Sequence, residues 1–194
     1  MPTRAVPKRD AVGPAGVIAF EALYEAQFDF VWRSVARLGV EPAALEDAAQ
    51  DVFVIAHRRL GEFEGRSSAK TWLFAIALRV AHDYRRAARR KRGHGIVGED
   101  EGDAANVADP NAASPLEAAV RAAAVNRLHA LLAQLEEPLR AIFILAELEE
   151  VSAPEIGEAL GINLNTVYTR LRAARRQFND SVAREMARDT WRER

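Results

Sequence analysis

The chain has 194 residues, no cysteine and a formal net charge of −1, a length that allows one or two domains with real cores. The missing Cys excludes disulfides, thiolate zinc sites and cysteine nucleophiles, and fits a reducing compartment. With 49% hydrophobic and 28% charged residues the composition is globular, and no apolar run approaches the roughly 18 residues of a membrane-spanning helix.

Residues 1–18 read as a flexible, mildly basic arm with Arg4, Lys8 and Arg9. Gly13, Pro14 and Gly16 interrupt its apolar stretch, so no signal peptide is expected. From there the chain reads as helix, because sustained period-two alternation is missing. A first helix is expected from about Phe20 to Leu38, stopped by Gly39. A second is expected from Pro42 to about Leu60. The segment 62–68 reads as a loop leading to a third helix from about Ala69 to Arg92. Leu73, Ile76, Ala77, Val80 and Tyr84 recur on one side of that helix and predict its buried stripe.

Residues 93–114 break the pattern. They hold four Gly, one Pro, five acids and no Lys or Arg, the composition of a flexible, self-repelling linker. Helical signals resume at Ser114-Pro115-Leu116-Glu117, a capping box with Pro at the first helical position. Helices are expected at about 115–135 and 137–149. A second box at Ser152-Ala153-Pro154-Glu155 opens a short helix that Gly161 ends. Asn163 or Asn165 can cap a last helix running to about Arg184. The expected divisions are therefore an arm (1–18), a helical domain (19–92), the linker (93–114), a second helical domain (115–182) and a tail (183–194).

The small net charge hides an alternation. Residues 66–92 carry nine basic and one acidic side chain, and 162–194 carry eight and four, while most intervening stretches are net acidic. Two basic islands suit a polyanion touched twice; two solvated helix faces are the other reading.

Residues 152–178 have the shape of a helix-turn-helix. Leu164, Val167, Leu171, Ala174 and Phe178 fall on one side of its second helix. Asn165, Thr169, Arg172 and Arg176 fall opposite, with Tyr168, Arg170 and Arg175 on the flanks. Small polar groups early and arginines later suit a helix that reads base edges and then holds phosphates. A surface helix with solvated arginines has the same pattern.

The third helix sets Trp72, Arg79, His82, Arg86 and Arg90 opposite its buried stripe, and the loop before it offers Phe63, Arg66, Ser67, Ser68 and Lys70. Rings among cations fit single-stranded nucleic acid, whose bases stack while its phosphates are neutralised. A Trp at the start of an amphipathic helix is more often a packing residue than a base contact, and packing is the other reading of Trp72. On the second helix, Glu46, Asp47, Gln50 and Asp51 form an acidic face that cannot bind phosphate; it suits a basic protein or solvent.

Glu46-Asp47-Ala48-Ala49-Gln50-Asp51-Val52-Phe53, Thr71-Trp72-Leu73-Phe74-Ala75-Ile76-Ala77, and then Asp83 and Arg86, resemble region 2 of the bacterial sigma-70 family, most closely its extracytoplasmic-function (ECF) group. Leu135-Glu136-Glu137-Pro138-Leu139-Arg140-Ala141-Ile142-Phe143, Glu155 to Ile162 and Thr166-Val167-Tyr168-Thr169-Arg170-Leu171 resemble region 4 of the same group. The resemblance implies an all-α protein of two small helical domains, a region 2-like bundle and a region 4-like helix-turn-helix, joined by a flexible acidic linker. It implies a cytoplasmic transcription initiation factor with no cofactor and no membrane insertion of its own.

By the same resemblance, Asp47, Gln50 and Asp51 would dock the β′ clamp helices of core RNA polymerase, and the second domain would meet the β flap. Phe63, Arg66, Ser67, Ser68, Lys70, Trp72, Arg79, His82, Asp83, Arg86 and Arg90 would recognise and melt the −10 element. Asn165, Thr166, Tyr168, Thr169, Arg170, Arg172 and Arg176 would read the −35 element. An anti-sigma partner is a further family expectation. Arg79 stands where the family often has Asn, and Ala48 and Ala49 are smaller than its usual pair.

A stand-alone helix-turn-helix regulator of duplex operators is the alternative function; it leaves the acidic face and the Trp72 face unexplained. An enzyme is not expected, because His57, His82, His94 and His129 lack metal-ligand spacing and no H-E-x-x-H, G-x-S-x-G or phosphate-loop motif is present. A helical adaptor would have no nucleic-acid affinity.

Overall fold

The computed structural model describes residues 19–93 and 114–192. The expected arm and the interior of the expected linker lie outside the described residues. Within them the protein is helical, without strands: α1 (Phe20–Arg37), α2 (Leu45–Arg59), α3 (Ala69–Gly93), α4 (Pro115–Ala133), α5 (Glu137–Phe143), α6 (Ala153–Leu160) and α7 (Leu164–Arg192).

Local chemistry sets the starts of these helices. Ser114 Oγ accepts the Glu117 amide at 3.2 Å, and Ser152 Oγ accepts that of Glu155 at 3.4 Å, so both capping boxes use their serine. Of the two asparagines on offer for α7, Asn163 is the cap, accepting the Thr166 amide at 2.7 Å. Pro42 opens a tight 3₁₀ turn, Pro42–Ala44, before α2 proper begins at Leu45. α5 runs on into a wider π-type turn, Ile144–Leu148, and Gly161 closes α6 in the left-handed conformation at φ 65°.

α1, α2 and α3 pack into one bundle around Val31, Val35, Val52, Phe53, Leu73 and Ala77. α4 to α7 gather around Leu132, Ile142, Leu145, Ile156, Val167 and Ala174. Truncating any of the larger ones to Ala would cost about 2–5 kcal/mol. The expected α3 stripe is buried except for Tyr84, which is half-buried. Phe74 and Ala81 are buried as well, because α3 has α1, α2 and α6 as neighbours.

Two expectations are corrected. The last helix does not stop near Arg184: α7 continues to Arg192. Nothing after Asn179 is Gly or Pro, so no residue breaks the helix. The extension is also held by the Arg127–Glu185 ion pair at 3.0 Å. Leu164, assigned to the apolar side of α7, is 41% exposed, since it lies in the first turn beyond the reach of the core.

The two bundles are not separate bodies. Their buried side chains form one continuous core, and α6 packs against α3. At the seam the Arg140 guanidinium is almost wholly buried. It donates through Nη1 to the Leu38 carbonyl at 2.9 Å and through Nη2 to those of Ala133 and Leu135 at 2.9 and 3.0 Å. Its Nε has no partner. Burial first, and Arg85 second, pull its pKa down to about 10.

Candidate nucleic-acid interface

The helix-turn-helix presents the face expected of it. Asn165, Tyr168, Thr169, Arg172 and Arg176 are exposed, while Val167, Leu171 and Ala174 are buried beneath them. Phe178 stacks on Phe143 with ring centroids 4.6 Å apart, which fixes α7 against α5. Asn163, Asn165, Thr166, Thr169 and Arg170 line a depression of about 470 Å³ at the start of α7. Thr166 and Arg170 are half-buried. The amide and hydroxyl of Thr166 both donate to Asn163 Oδ1, so this residue serves the cap first. Arg175, on the flank, pairs with Glu147 at 2.7 Å.

On α3, Arg79, His82, Asp83, Arg86 and Arg90 are exposed along one side, with Arg89, Lys91 and Arg92 beside them. Trp72 does not share that exposure. It is half-buried against Phe63, centroids 5.1 Å apart, so the two rings form one aromatic ledge at the start of the basic face. Ser68 is spent locally as the cap of α3, accepting the Thr71 amide at 3.1 Å. Arg66 pairs with Glu64, and Ser67 is half-buried.

Two of these residues reach across the seam. Lys70 pairs with Glu149 at 2.6 Å and lies over the Phe30 ring. His82 Nδ1 meets Glu137 at 3.0 Å, which also pairs with Arg85 at 3.2 Å. Of the acceptors, Glu137 and Glu155 enter the sequence analysis only as motif and capping-box residues and Glu149 not at all; none is expected there to meet α3. Their signal is the alternation of charge: residues 121–161 hold seven acids and three bases, opposite in sign to the α3 island.

The acidic face of α2 is open, with Asp47, Gln50 and Asp51 all exposed. Asp51 Oδ2 accepts the Tyr84 hydroxyl at 2.9 Å. Burial, then this bond and the nearby Asp51 and Asp47 charges, push the Tyr84 phenol up to about 12. Beside the acids runs a groove of about 810 Å³ floored by Phe20, Tyr24, Phe28, Trp32 and Phe53 and edged by Gln50 and Glu46. Phe20, Tyr24 and Phe28 recur every four residues on α1, a readable signal for an aromatic face.

Among the described residues no group of His, Asp and Glu is arranged to hold a metal ion, and no helix is long and apolar enough to cross a membrane.

The model of sigma-70 region 2 matches residues 23–91, and that of sigma-70 region 4 matches residues 126–178. RNA polymerase sigma-H factor of Pseudomonas aeruginosa is 32% identical over 142 residues, covering 71% of this chain and 72% of the relative. The ECF RNA polymerase sigma factor SigX of Bacillus subtilis is 31% identical over 150 residues, covering 77% and 76%. Two solved structures share the fold. CnrH in complex with the cytosolic domain of CnrY has a TM-score of 0.59 at 21% identity, covering 84% of this chain and 87% of CnrH. The sigma factor RpoE in complex with the anti-sigma factor NepR, from Bartonella quintana, has a TM-score of 0.58 at 19% identity, covering 84% and 96%. Region 2 and region 4 in order, each with its own face, place the chain in the ECF group of the sigma-70 family of transcription initiation factors.

Proposed function

We propose that this chain binds core RNA polymerase through the acidic face of α2 and directs it to promoters by reading two DNA elements with α7 and α3. The observation that carries the assignment is the pairing of an open acidic face with two exposed basic helices on one helical scaffold. A stand-alone operator binder needs only α7.

Each element contributes one part. Asp47, Gln50 and Asp51, beside the aromatic groove of α1 and α2, offer carboxylates over an apolar floor, a surface suited to a helix with basic and apolar residues. Asn165 and Thr169 stand at the start of α7 to read base edges of a −35 duplex, with Tyr168 and Arg170 at their flanks, and Arg172 and Arg176 follow to hold phosphates. Phe63 and Trp72 give single-stranded −10 bases a ring to stack on. Arg66, Arg79, Arg86 and Arg90 follow the backbone.

Melting costs about 1.4 kcal/mol per base-pair step, and stacking a captured base returns about 1–3 kcal/mol. Capture on the protein therefore supports opening of a few pairs without nucleotide hydrolysis. Each DNA contact alone is small. Polymerase fixes their separation and turns two weak contacts into one bivalent one. In this reading the chain works in the cytoplasm without a cofactor, its second domain meets the β flap, and an anti-sigma protein is a partner, a reading supported by the likeness to RpoE of Bartonella quintana bound to the anti-sigma factor NepR.

The test is in vitro transcription with purified core polymerase on a library of randomised promoters. Initiation at a shared pair of spaced elements, only when the chain is added, is the expected result. Start sites indifferent to the chain, or specific duplex binding of equal affinity without polymerase, would refute the proposal and favour the operator binder.

A further inference from the structure

Tyr84 has one end in the core and one at the surface. Its ring packs against the buried cluster, at the end of the α3 stripe of Leu73, Ile76, Ala77 and Val80. Its hydroxyl leaves that cluster and donates to Asp51 Oδ2 on α2 at 2.9 Å. A ring seated among packed side chains has few rotamers open to it, so the hydroxyl is delivered to a fixed point. The carboxylate that accepts from it is held there as well.

Asp51 is a side chain that needs holding. Asp47 precedes it by one helical turn, and both are exposed, so two like charges are neighbours on one face of α2 and repel each other. An exposed Asp without a partner moves among its staggered rotamers. A Lys or Arg partner would fix it but would also cancel its charge. A phenol fixes it and brings no charge. Burial first, then the bond to Asp51 and the Asp51 and Asp47 charges, push the Tyr84 phenol up to about 12, so its proton stays in place across the neutral range. The carboxylate is therefore oriented and still negative.

We infer that Tyr84 is a positioning residue for core docking: from α3 it sets the Asp51 carboxylate of α2 in place for a cationic side chain of the polymerase. This rests on the assignment of the α2 acids to polymerase. A side chain that has already lost its rotamer freedom loses less on binding, and that difference appears as affinity. The bond is not what joins the two helices. Their packing is carried by Ala48, Ala49, Val52 and Ala56 of α2 and Leu73 and Ala77 of α3, all buried. The hydroxyl thus acts on the partner through Asp51 and not through the fold.

The experiment is a double-mutant cycle on the full chain, with purified core polymerase immobilised on a biosensor and no DNA present. Tyr84→Phe keeps the ring in the core and removes only the hydroxyl. Asp51→Ala removes the carboxylate. The third variant carries both changes.

The expected result is core affinity lowered about three- to tenfold by Tyr84→Phe and at least about tenfold by Asp51→Ala. The double variant should be no weaker than Asp51→Ala alone, because the hydroxyl then has nothing left to position. A hydroxyl with a merely structural role would lower affinity in the Asp51→Ala background as well, so losses that add overturn the inference. Wild-type affinity for Tyr84→Phe beside a weakened Asp51→Ala also overturns it and leaves the docking face standing. Wild-type affinity for Asp51→Ala removes Asp51 from the docking face and the role of Tyr84 with it.

Discussion

Gly39 leaves the space that the Arg140 guanidinium occupies: a Cβ on Gly39 would lie 2.7 Å from Arg140 Nη1. Gly39 also holds φ at +90°, where any side chain is strained. The residue that stops α1 is therefore also the notch through which α5 reaches the Leu38 carbonyl. Gly39→Ala is expected to cost roughly 1–3 kcal/mol, from the left-handed strain and from displacing a buried hydrogen-bonded cation. Gly61→Ala is the control. Nothing lies within 4 Å of a Cβ there, so its effect should stay within about 0.5 kcal/mol. Urea denaturation of both variants checks the difference; equal midpoints would sink the notch.

Much of this fold was legible because its signals are local. Ser114, Ser152 and the glycines at 39 and 161 mark helix ends through bonds within three or four residues, and those ends are where the sequence places them. The exposed faces of α3 and α7 follow from helical spacing alone. What spacing does not carry is a partner distant in sequence. Lys70 meets Glu149, and Thr71 meets Glu155, across more than 75 residues, so Ser68 and Lys70 read as free DNA ligands until the seam is seen. Trp72 was undecided for the same reason: its face depends on Phe63, which sits in an irregular loop. The end of α7 was misplaced because a helix without a breaker stops where packing stops, and the Arg127–Glu185 pair that extends it is tertiary.

Asp51 is exposed and its one described bond is to the hydroxyl of Tyr84. Asp51→Lys reverses the charge of the proposed polymerase face without touching the core. Core polymerase affinity should fall at least about tenfold, the size of a lost charge-assisted contact, and transcription should be abolished. Helical circular dichroism and the unfolding midpoint should stay near wild type. Undiminished transcription would remove α2 from the docking surface.

Asn165 and Arg172 share a face of α7 but are assigned different jobs. Asn165→Ala, in the presence of core polymerase, should relax base preference at one −35 position, costing about 1–3 kcal/mol of discrimination there. Arg172→Ala should weaken binding nearly equally on all sequences and lower the slope of log affinity against log salt by about 1. Competition binding on −35 variants at several salt concentrations separates the two. The same phenotype for both variants would mean that α7 sits in the groove at a different angle.

Acid should loosen the seam before it unfolds the bundles. Burial by itself would raise the Glu155 carboxyl, but the bonds from Thr71 and Ser68, with Lys70 nearby, outweigh it and hold Glu155 below its ordinary value of 4.5. A group with a depressed pKa stabilises the closed form fully above its unfolded value and loses that contribution as pH falls through the lower, folded value. Energy transfer between dyes attached at Ala26→Cys on α1 and Ala183→Cys on α7, both exposed positions, should therefore be flat above about pH 5 and decline below 4.5. Glu155→Gln, which cannot gain this proton, should show lower transfer at neutral pH and a shallower decline on acidification. Superimposable acid profiles for wild type and Glu155→Gln would mean that Glu155 carries no charge-dependent share of the closure.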